Sequence, residues 1–214
     1  MKAESIMEQF RSMLTDLKNH SDINVNIGQV NPPATEEEIS EICTKFNVTP
    51  AMIDFYGQAN GLKIQWERKK DKKLPNGGLA GGYINLLPIK EVFSDWKNII
   101  YLNDSDPRKP LHPLDFFIEE ACAALYLDGS DNSQVYYYAY GEKMSSLGVD
   151  FEGYLKMLLK SRGFWYWHKA IAQPEYFNPY VPMSVEEKNF REIMPQLFPD
   201  FRQSDFQRLN DNNV

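Results

Sequence analysis

Few side chains in this 214-residue sequence are spaced for catalysis or for metal binding. A serine hydrolase needs its nucleophile on a Gly-x-Ser-x-Gly turn and a histidine within hydrogen-bond reach, and that motif is absent. The histidines are His20, His112 and His168, which lie far apart along the chain. Zinc usually takes three or four His, Cys or carboxylate ligands at short spacings, which these residues do not offer. We therefore expect structural or surface roles for the histidines, no catalytic residue, and neither a metal nor another cofactor.

Three other motifs suggest chemistry, but their details argue against it. An EF-hand register that begins at Asp128 puts Ser133 where the calcium loop needs a glycine, so a β-turn is favoured. The glycines within residues 77–82 lack the Gly-Lys-Ser/Thr of a phosphate loop. Glu119 and Glu120, as predicted strand neighbours, point to opposite faces and do not converge as a glycosidase pair. The prediction is a protein that is not an enzyme, and a hydrolase with a dispersed site is the least favoured alternative.

Charge is distributed unevenly along the chain. The formal net charge of -7 argues against a partner such as duplex nucleic acid, because phosphate contacts need a basic face. Residues 63–73 hold six basic and two acidic side chains, whereas residues 104–131 hold seven acidic and two basic ones. A surface that gathers these acids would attract a basic protein partner, although a merely solvated face is the alternative. The predicted partner-binding residues are Asp104, Asp106, Glu119, Glu120, Asp128 and Asp131.

Tyrosines alternate along residues 135–140, which have strong β propensity. Tyr136, Tyr138 and Tyr140 share one face of that predicted strand, which would suit base stacking with a single-stranded nucleic acid. Aromatic strand faces more often pack under helices, so we interpret them as core.

The cysteines and the N-terminus indicate a compartment. Cys43 and Cys122 lie in unlike settings, so we predict two buried thiols rather than a disulfide, in a reducing environment. Residues 1–5 carry no apolar signal region, and no stretch approaches the roughly 20 apolar residues of a membrane span. We expect a cytoplasmic protein that does not interact with membranes.

Apolar periodicity and capping residues predict six helical segments. The first is a helix over 3–18. The second follows the Thr35 and Glu38 capping pair and has the buried face Ile39, Ile42, Cys43 and Phe46. A third helix runs from Thr49-Pro50 to Asn60-Gly61, a helical turn covers 88–96, and a helix runs from Asp150 to Gly163. The last helix follows Ser184 and has the apolar stripe Val185, Ile193, Met194 and Leu197.

The remaining ordered segments, 23–27, 62–66, 83–87, 114–118, 121–127 and 135–140, are predicted strands. Most of them alternate, but 121–127 is apolar on both faces, as a central strand would be. A buried helix is the alternative for 119–124, but the turn formers that begin at Asp128 favour a hairpin. The predicted fold class is α+β, with a single mainly antiparallel central sheet, helices packed against it, and a C-terminal helical extension.

The order of these elements resembles the SUKH superfamily, which is named partly for fungal cell-wall synthesis regulators. The resemblance covers residues 1–172, so we divide the chain into a SUKH-like domain over 1–172 and a C-terminal extension over 173–214. It rests on Asn31-Pro32-Pro33-Ala34-Thr35, Thr49-Pro50, Asn60-Gly61, Leu87-Pro88, and Asp128-Gly129-Ser130 followed by the helix over 151–159.

This resemblance implies a function. Many bacterial members look like immunity proteins that neutralise polymorphic toxins by direct binding. The expected activity is therefore non-catalytic protein binding, with a toxin domain of basic surface as the partner. The alternative is a regulatory adaptor that binds host proteins, as the fungal relatives do.

Overall fold

The computed structural model describes residues 4–69, 80–129, 134–173 and 183–207. Within these ranges the chain forms one seven-stranded antiparallel sheet, in which each strand pairs with the next in sequence. The predicted α+β class is confirmed. The strands are β1 (Ile23–Val30), β2 (Leu62–Arg68), β3 (Gly81–Leu86), β4 (Leu111–Ile118), β5 (Ala121–Tyr126), β6 (Gln134–Ala139) and β7 (Ser145–Asp150). The helices are α1 (Ile6–Asn19), α2 (Glu36–Cys43), α3 (Pro50–Gln58), α4 (Ile89–Val92), α5 (Phe151–Ser161) and α6 (Val185–Leu197).

Four helices, α2, α3, α5 and α6, begin at the capping residues that the sequence predicts, whereas α1 begins at Ile6 after the cap Ser5 rather than at residue 3. Thr35 accepts from the Glu38 backbone N–H, and the Glu38 carboxylate accepts in return from the Thr35 N–H. Asp150 caps α5 by accepting from the Gly153 N–H at 2.8 Å, and Ser184 caps α6. Each cap satisfies backbone donors that have no partner inside the helix, so these boundaries are set by local chemistry.

The main core lies between the helices and one face of the sheet, which we call the inner face. Phe10 of α1, Tyr56 of α3, Trp66 of β2 and Tyr154 of α5 are all buried there. The described part of the predicted extension joins this core, through a set of buried side chains. They are Phe190, Ile193, Met194, Leu197, Phe198 and Phe206.

The chain passes close to β3 where α5 ends. Arg162 and Gly163 both have positive φ, at 50° and 64°. The Trp66 indole N–H donates to the Arg162 carbonyl at 2.7 Å. A Cβ added to Gly82 would lie 2.5 Å from the Gly163 carbonyl oxygen, so only glycine fits there. This approach directs the following aromatic segment, which ends in the turn Trp167–Ala170, across the core.

The opposite, outer face of β4, β5 and β6 carries a second, smaller core. Leu111, Cys122, Ala124 and Tyr138 are buried on that face, and Ile100 packs against them from the segment that joins α4 to β4. We call residues 93–110 the outer loop. The outer loop, and not a helix as predicted, covers this face of β6. Tyr138 is core, as interpreted, but Tyr136 is only partly buried and Tyr140 is 79% exposed.

Several local predictions are wrong, and each error has a physical reason. Cys43 is exposed because α2 has only two turns and buries only Ile42 in the core. Glu119 and Glu120 form the turn between β4 and β5 rather than continuing a strand. Val185 is 48% exposed because it lies in the first turn of α6.

Other differences concern element boundaries. Strand β7 has only Leu147 and Val149 as alternating apolar residues, and it was not predicted. The predicted turn over 88–96 is helical only over α4. Residues 70–73 of the basic run over 63–73, residues 174–182 and Asp131 lie outside the described residues. No helix in the described ranges has the length and apolar character to cross a membrane.

Candidate functional site

The predicted acidic residues do not form one surface. Asp104 and Asp106 lie together in the outer loop. Glu119 and Glu120 lie at one end of β5, and Asp128 lies beyond its other end. Six residues of strand separate those ends by roughly 20 Å. Asp131 lies outside the described residues. The described site residues thus form two pairs, Asp104 with Asp106 in the outer loop and Glu119 with Glu120 in the turn before β5, and Asp128 stands apart from the second pair.

Asp106 organises the outer loop from within. Its side chain is only 6% exposed and accepts four hydrogen bonds, two from the Arg108 guanidinium and one each from the backbone N–H groups of Leu102 and Arg108. Arg108 also donates to the Tyr138 hydroxyl at 2.9 Å. The Arg108 hydrogen bonds hold the pKa of Asp106 well below its usual range. The Asp106 charge is therefore neutralised inside the protein.

Three further contacts fix the same loop. The Asp104 carboxylate lies 2.8 Å from the Lys109 Nζ, in an exposed ion pair. The Asp95 carboxylate accepts from the Tyr101 hydroxyl at 2.6 Å. Asn98 adopts a φ of 67° in the tight turn between them, where its backbone N–H donates to the Tyr101 carbonyl at 2.7 Å. These bonds give the loop a defined shape although it contains no regular secondary structure.

The loop holds two large aliphatic side chains in solvent. Ile99 is 62% exposed and Leu102 is 65% exposed. A groove of about 1060 Å³ opens beside Leu102, between the outer loop and the β6–β7 hairpin. Its walls include Pro107, Tyr136 and Met144, with Glu142 and Lys143 at the hairpin. Both belong to the apolar run Ile99-Ile100-Tyr101-Leu102, in which Ile100 and Tyr101 are buried, so the sequence does not show which of the four side chains face solvent.

Glu119 and Glu120 belong to a different surface. Glu120 lies near the Tyr166 ring. Partial burial is the main reason that the pKa of Tyr166 is raised, and the negative charges of Glu120, Glu186 and Glu142 raise it further. Glu119 and Glu120 are both exposed, and neither forms an ion pair with the described part of the chain. Their negative charge is thus available to steer a partner, unlike that of Asp106.

A buried polar network connects the sheet to the helices. The Tyr154 hydroxyl donates to the Asp115 carboxylate at 2.8 Å and lies 3.0 Å from the His168 Nε2. Because the single hydroxyl proton is given to Asp115, the imidazole must carry its proton on Nε2 and donate to Tyr154. The His168 Nδ1 then has no hydrogen-bond partner in the described residues. Phe117 and Trp167 stack on the imidazole, with ring centroids 4.4 and 4.2 Å away.

Burial determines the charges in this network. Desolvation raises the pKa of Asp115 to about 6, against hydrogen bonds from Asn85 and Tyr154 that lower it. Desolvation also lowers the pKa of His168 to about 3, so the imidazole is neutral at pH 7. Both side chains are fully enclosed, with exposures of 0% and 1%. The network therefore does not contact solvent, and its chemistry is structural.

The described residues contain no group of three His, Cys, Asp or Glu side chains arranged to hold a metal ion. Comparison with protein-family models and with curated proteins finds no match for this chain.

We expect Asp106→Ala to loosen the outer loop, because it leaves the Arg108 guanidinium and two backbone donors without their acceptor. Amide hydrogen exchange at Leu102 and Arg108 should accelerate about tenfold or more. Asp104→Ala is the matched control, since an exposed ion pair contributes about 0.2–1 kcal/mol. Equal exchange in the two variants would show that Asp106 does not organise the loop.

Asp115 should give the protein a distinctive dependence on pH. Its pKa is raised from 3.8 in the unfolded chain to about 6 in the folded protein. The folded state thus binds this proton more tightly, and the resulting stability is present below pH 3.8 and lost as the pH rises through 6.

The measurement compares the free energies of unfolding of the wild type and Asp115→Asn across this pH window. The wild type should gain roughly 2.5 kcal/mol relative to the variant between pH 7 and pH 3.8. His168 titrates in both proteins and its contribution cancels in the difference. A difference that does not change with pH would contradict the assignment.

Proposed function

We propose that this chain is a non-catalytic protein-binding module of the SUKH type, and that it neutralises a toxin by direct binding, as bacterial immunity proteins do. The resemblance in element order supports the family, and the outer loop supports the binding role. The toxin would present a basic surface whose substrate groove the bound protein blocks.

One observation carries the binding proposal: a loop fixed by internal bonds that holds Ile99 and Leu102 in water. Loops on a rigid scaffold commonly carry binding residues. A loop that is already ordered loses less conformational entropy on association, so its apolar contacts contribute more to affinity. The adjacent groove would accept side chains of the partner, and the ordered aliphatics would serve as anchors at the centre of the contact.

The charges have a different task in this proposal. Asp104 and Asp106 have cationic partners within the loop and act mainly by shaping it. Glu119 and Glu120 would attract a basic partner over a distance, which increases the association rate rather than the number of contacts. In this proposal the predicted acidic residues therefore have two roles: Asp104 and Asp106 shape the outer loop, and Glu119 and Glu120 attract the partner.

The first test is co-expression with a toxin encoded beside this gene. The wild type should restore growth and bind the purified toxin domain. Ile99→Asp with Leu102→Asp should abolish the rescue and weaken binding at least tenfold, because two charges enter an apolar contact. Ile53→Asp on α3, where the side chain is 40% exposed, is the matched control and should retain both activities. If the double variant binds like the wild type, the outer loop is not the contact surface.

A second variant separates steering from contact. Glu119→Lys with Glu120→Lys should lower the association rate several-fold at low ionic strength, and the difference should shrink in high salt. The dissociation rate should remain near that of the wild type. Unchanged association at low salt would rule out steering by these acids and leave the contact proposal intact.

A further inference from the structure

A second cavity, of about 260 Å³, lies beside the outer loop and is lined by aromatic side chains. We call it the aromatic pocket; its rings are Phe46, Phe93, Trp96, Tyr101 and His112. The Phe46 centroid lies 4.7 Å from that of Phe93 and 5.4 Å from that of His112, so three rings from separate segments converge. The segments are the connection after α2, the start of the outer loop, and β4.

One carbonyl holds two walls of the aromatic pocket. The Val92 carbonyl oxygen accepts from the Trp96 indole N–H at 3.2 Å and lies 3.1 Å from the His112 Nδ1. That contact places the imidazole proton on Nδ1. Burial lowers the pKa of His112, so the ring is neutral at pH 7 and does not repel a cation.

A carboxylate also lines the pocket. Asp95 Oδ1 accepts from the Tyr101 hydroxyl and from the Lys97 backbone N–H, at 2.6 and 3.0 Å. Asp95 Oδ2 has no hydrogen-bond partner among the described residues. The hydrogen bond from Tyr101 is the main reason that the pKa of Asp95 lies below its ordinary value, so the group is ionised at pH 7. Lys109 also lines the pocket, where its ammonium pairs with Asp104, and the charges of Lys97 and Lys109 both act on Asp95 as well.

We propose that the aromatic pocket is a cation site that accepts the guanidinium of an arginine on the bound protein. Faces of aromatic rings attract cations, and the planar guanidinium stacks on them better than an ammonium does. An open carboxylate oxygen offers the charged acceptor that such a fork needs. That the arginine comes from a bound protein rests on the proposed function. A basic partner that covers Ile99 and Leu102 would extend along the same loop to the aromatic pocket.

The site itself is tested on the full-length protein alone, with methylguanidinium as the probe and methylurea as its uncharged counterpart. Methylguanidinium should shift the NMR signals of the Trp96 indole and of the Phe46 and Phe93 rings in a saturable manner, and methylurea should not. Tyr140 serves as an internal control for unspecific contact with exposed rings. Equal shifts with methylurea, no saturable shift, or equal shifts at Tyr140 would each overturn the proposal.

Two conservative variants examine the parts of the site. Phe46→Leu keeps an apolar wall but removes a ring, and should weaken methylguanidinium binding about two- to fivefold. Asp95→Asn keeps the acceptor for Tyr101 while removing the charge, and should weaken it similarly. Tyr140→Leu is the control and should not change it. Thermal unfolding verifies that each variant is folded, and wild-type affinity in both folded pocket variants would overturn the proposal.

The same variants separate this inference from the proposed function. If the toxin binds the wild type and both pocket variants equally, the arginine pocket is wrong while the binding function stands. If no toxin binds but methylguanidinium still requires Phe46 and Asp95, the cation site stands and the proposed function fails. Loss of toxin affinity in both pocket variants, but not in Tyr140→Leu, would support both the arginine pocket and the proposed toxin-binding function.

Discussion

The fold depends on one buried carboxylate, at the weakest seam of the sheet. Strands β3 and β4 pair at a single register position, Leu86 with Asp115, whereas β2 and β3 pair along their whole length. The Asp115 side chain replaces one of the missing backbone hydrogen bonds between these strands, because its carboxylate accepts from the Asn85 backbone N–H at 2.8 Å. Its other oxygen accepts from Tyr154 on α5. Two more hydrogen bonds cross this seam, from the Leu87 N–H to the Leu114 carbonyl and from the Asn85 side-chain amide to the Phe116 carbonyl. Asp115 differs from them because it also holds α5 against the sheet.

That arrangement leaves the inner face closed and the outer face available. His168 completes the network under stacked rings, so the polar groups of the inner core are committed to structure and are enclosed. On the outer face, the segment between α4 and β4 covers only a small core around Tyr138. The outer loop is therefore supported from below by packed side chains and exposes its own upper surface. This is the usual division between a rigid scaffold and the loop that makes contacts.

Charge in this protein serves two purposes that a count of residues does not separate. Asp106 is bound by Arg108 and keeps the outer loop in shape, and Asp115 is buried in the core. Glu119 and Glu120 face solvent and contribute to the potential that a partner meets. The proposed contact surface accordingly combines apolar anchors on a loop that ion pairs hold in place, with acidic steering from a neighbouring turn.

The sequence by itself determined the features that arise from local chemistry. Helix starts at Thr35, Asp150 and Ser184 were predictable because a cap needs only its own next few residues. Apolar patterning and turn residues together identified six of the seven strands. The tertiary structure decided which acids are buried: Asp115 accepts from Asn85 and Tyr154, which lie on other elements, whereas Asp106 is bonded within its own loop. It also decided the exposure of Ile99 and Leu102 and the convergence of Phe46 with Phe93 and His112. Such contacts join residues distant in sequence, and spacing carries no information about them.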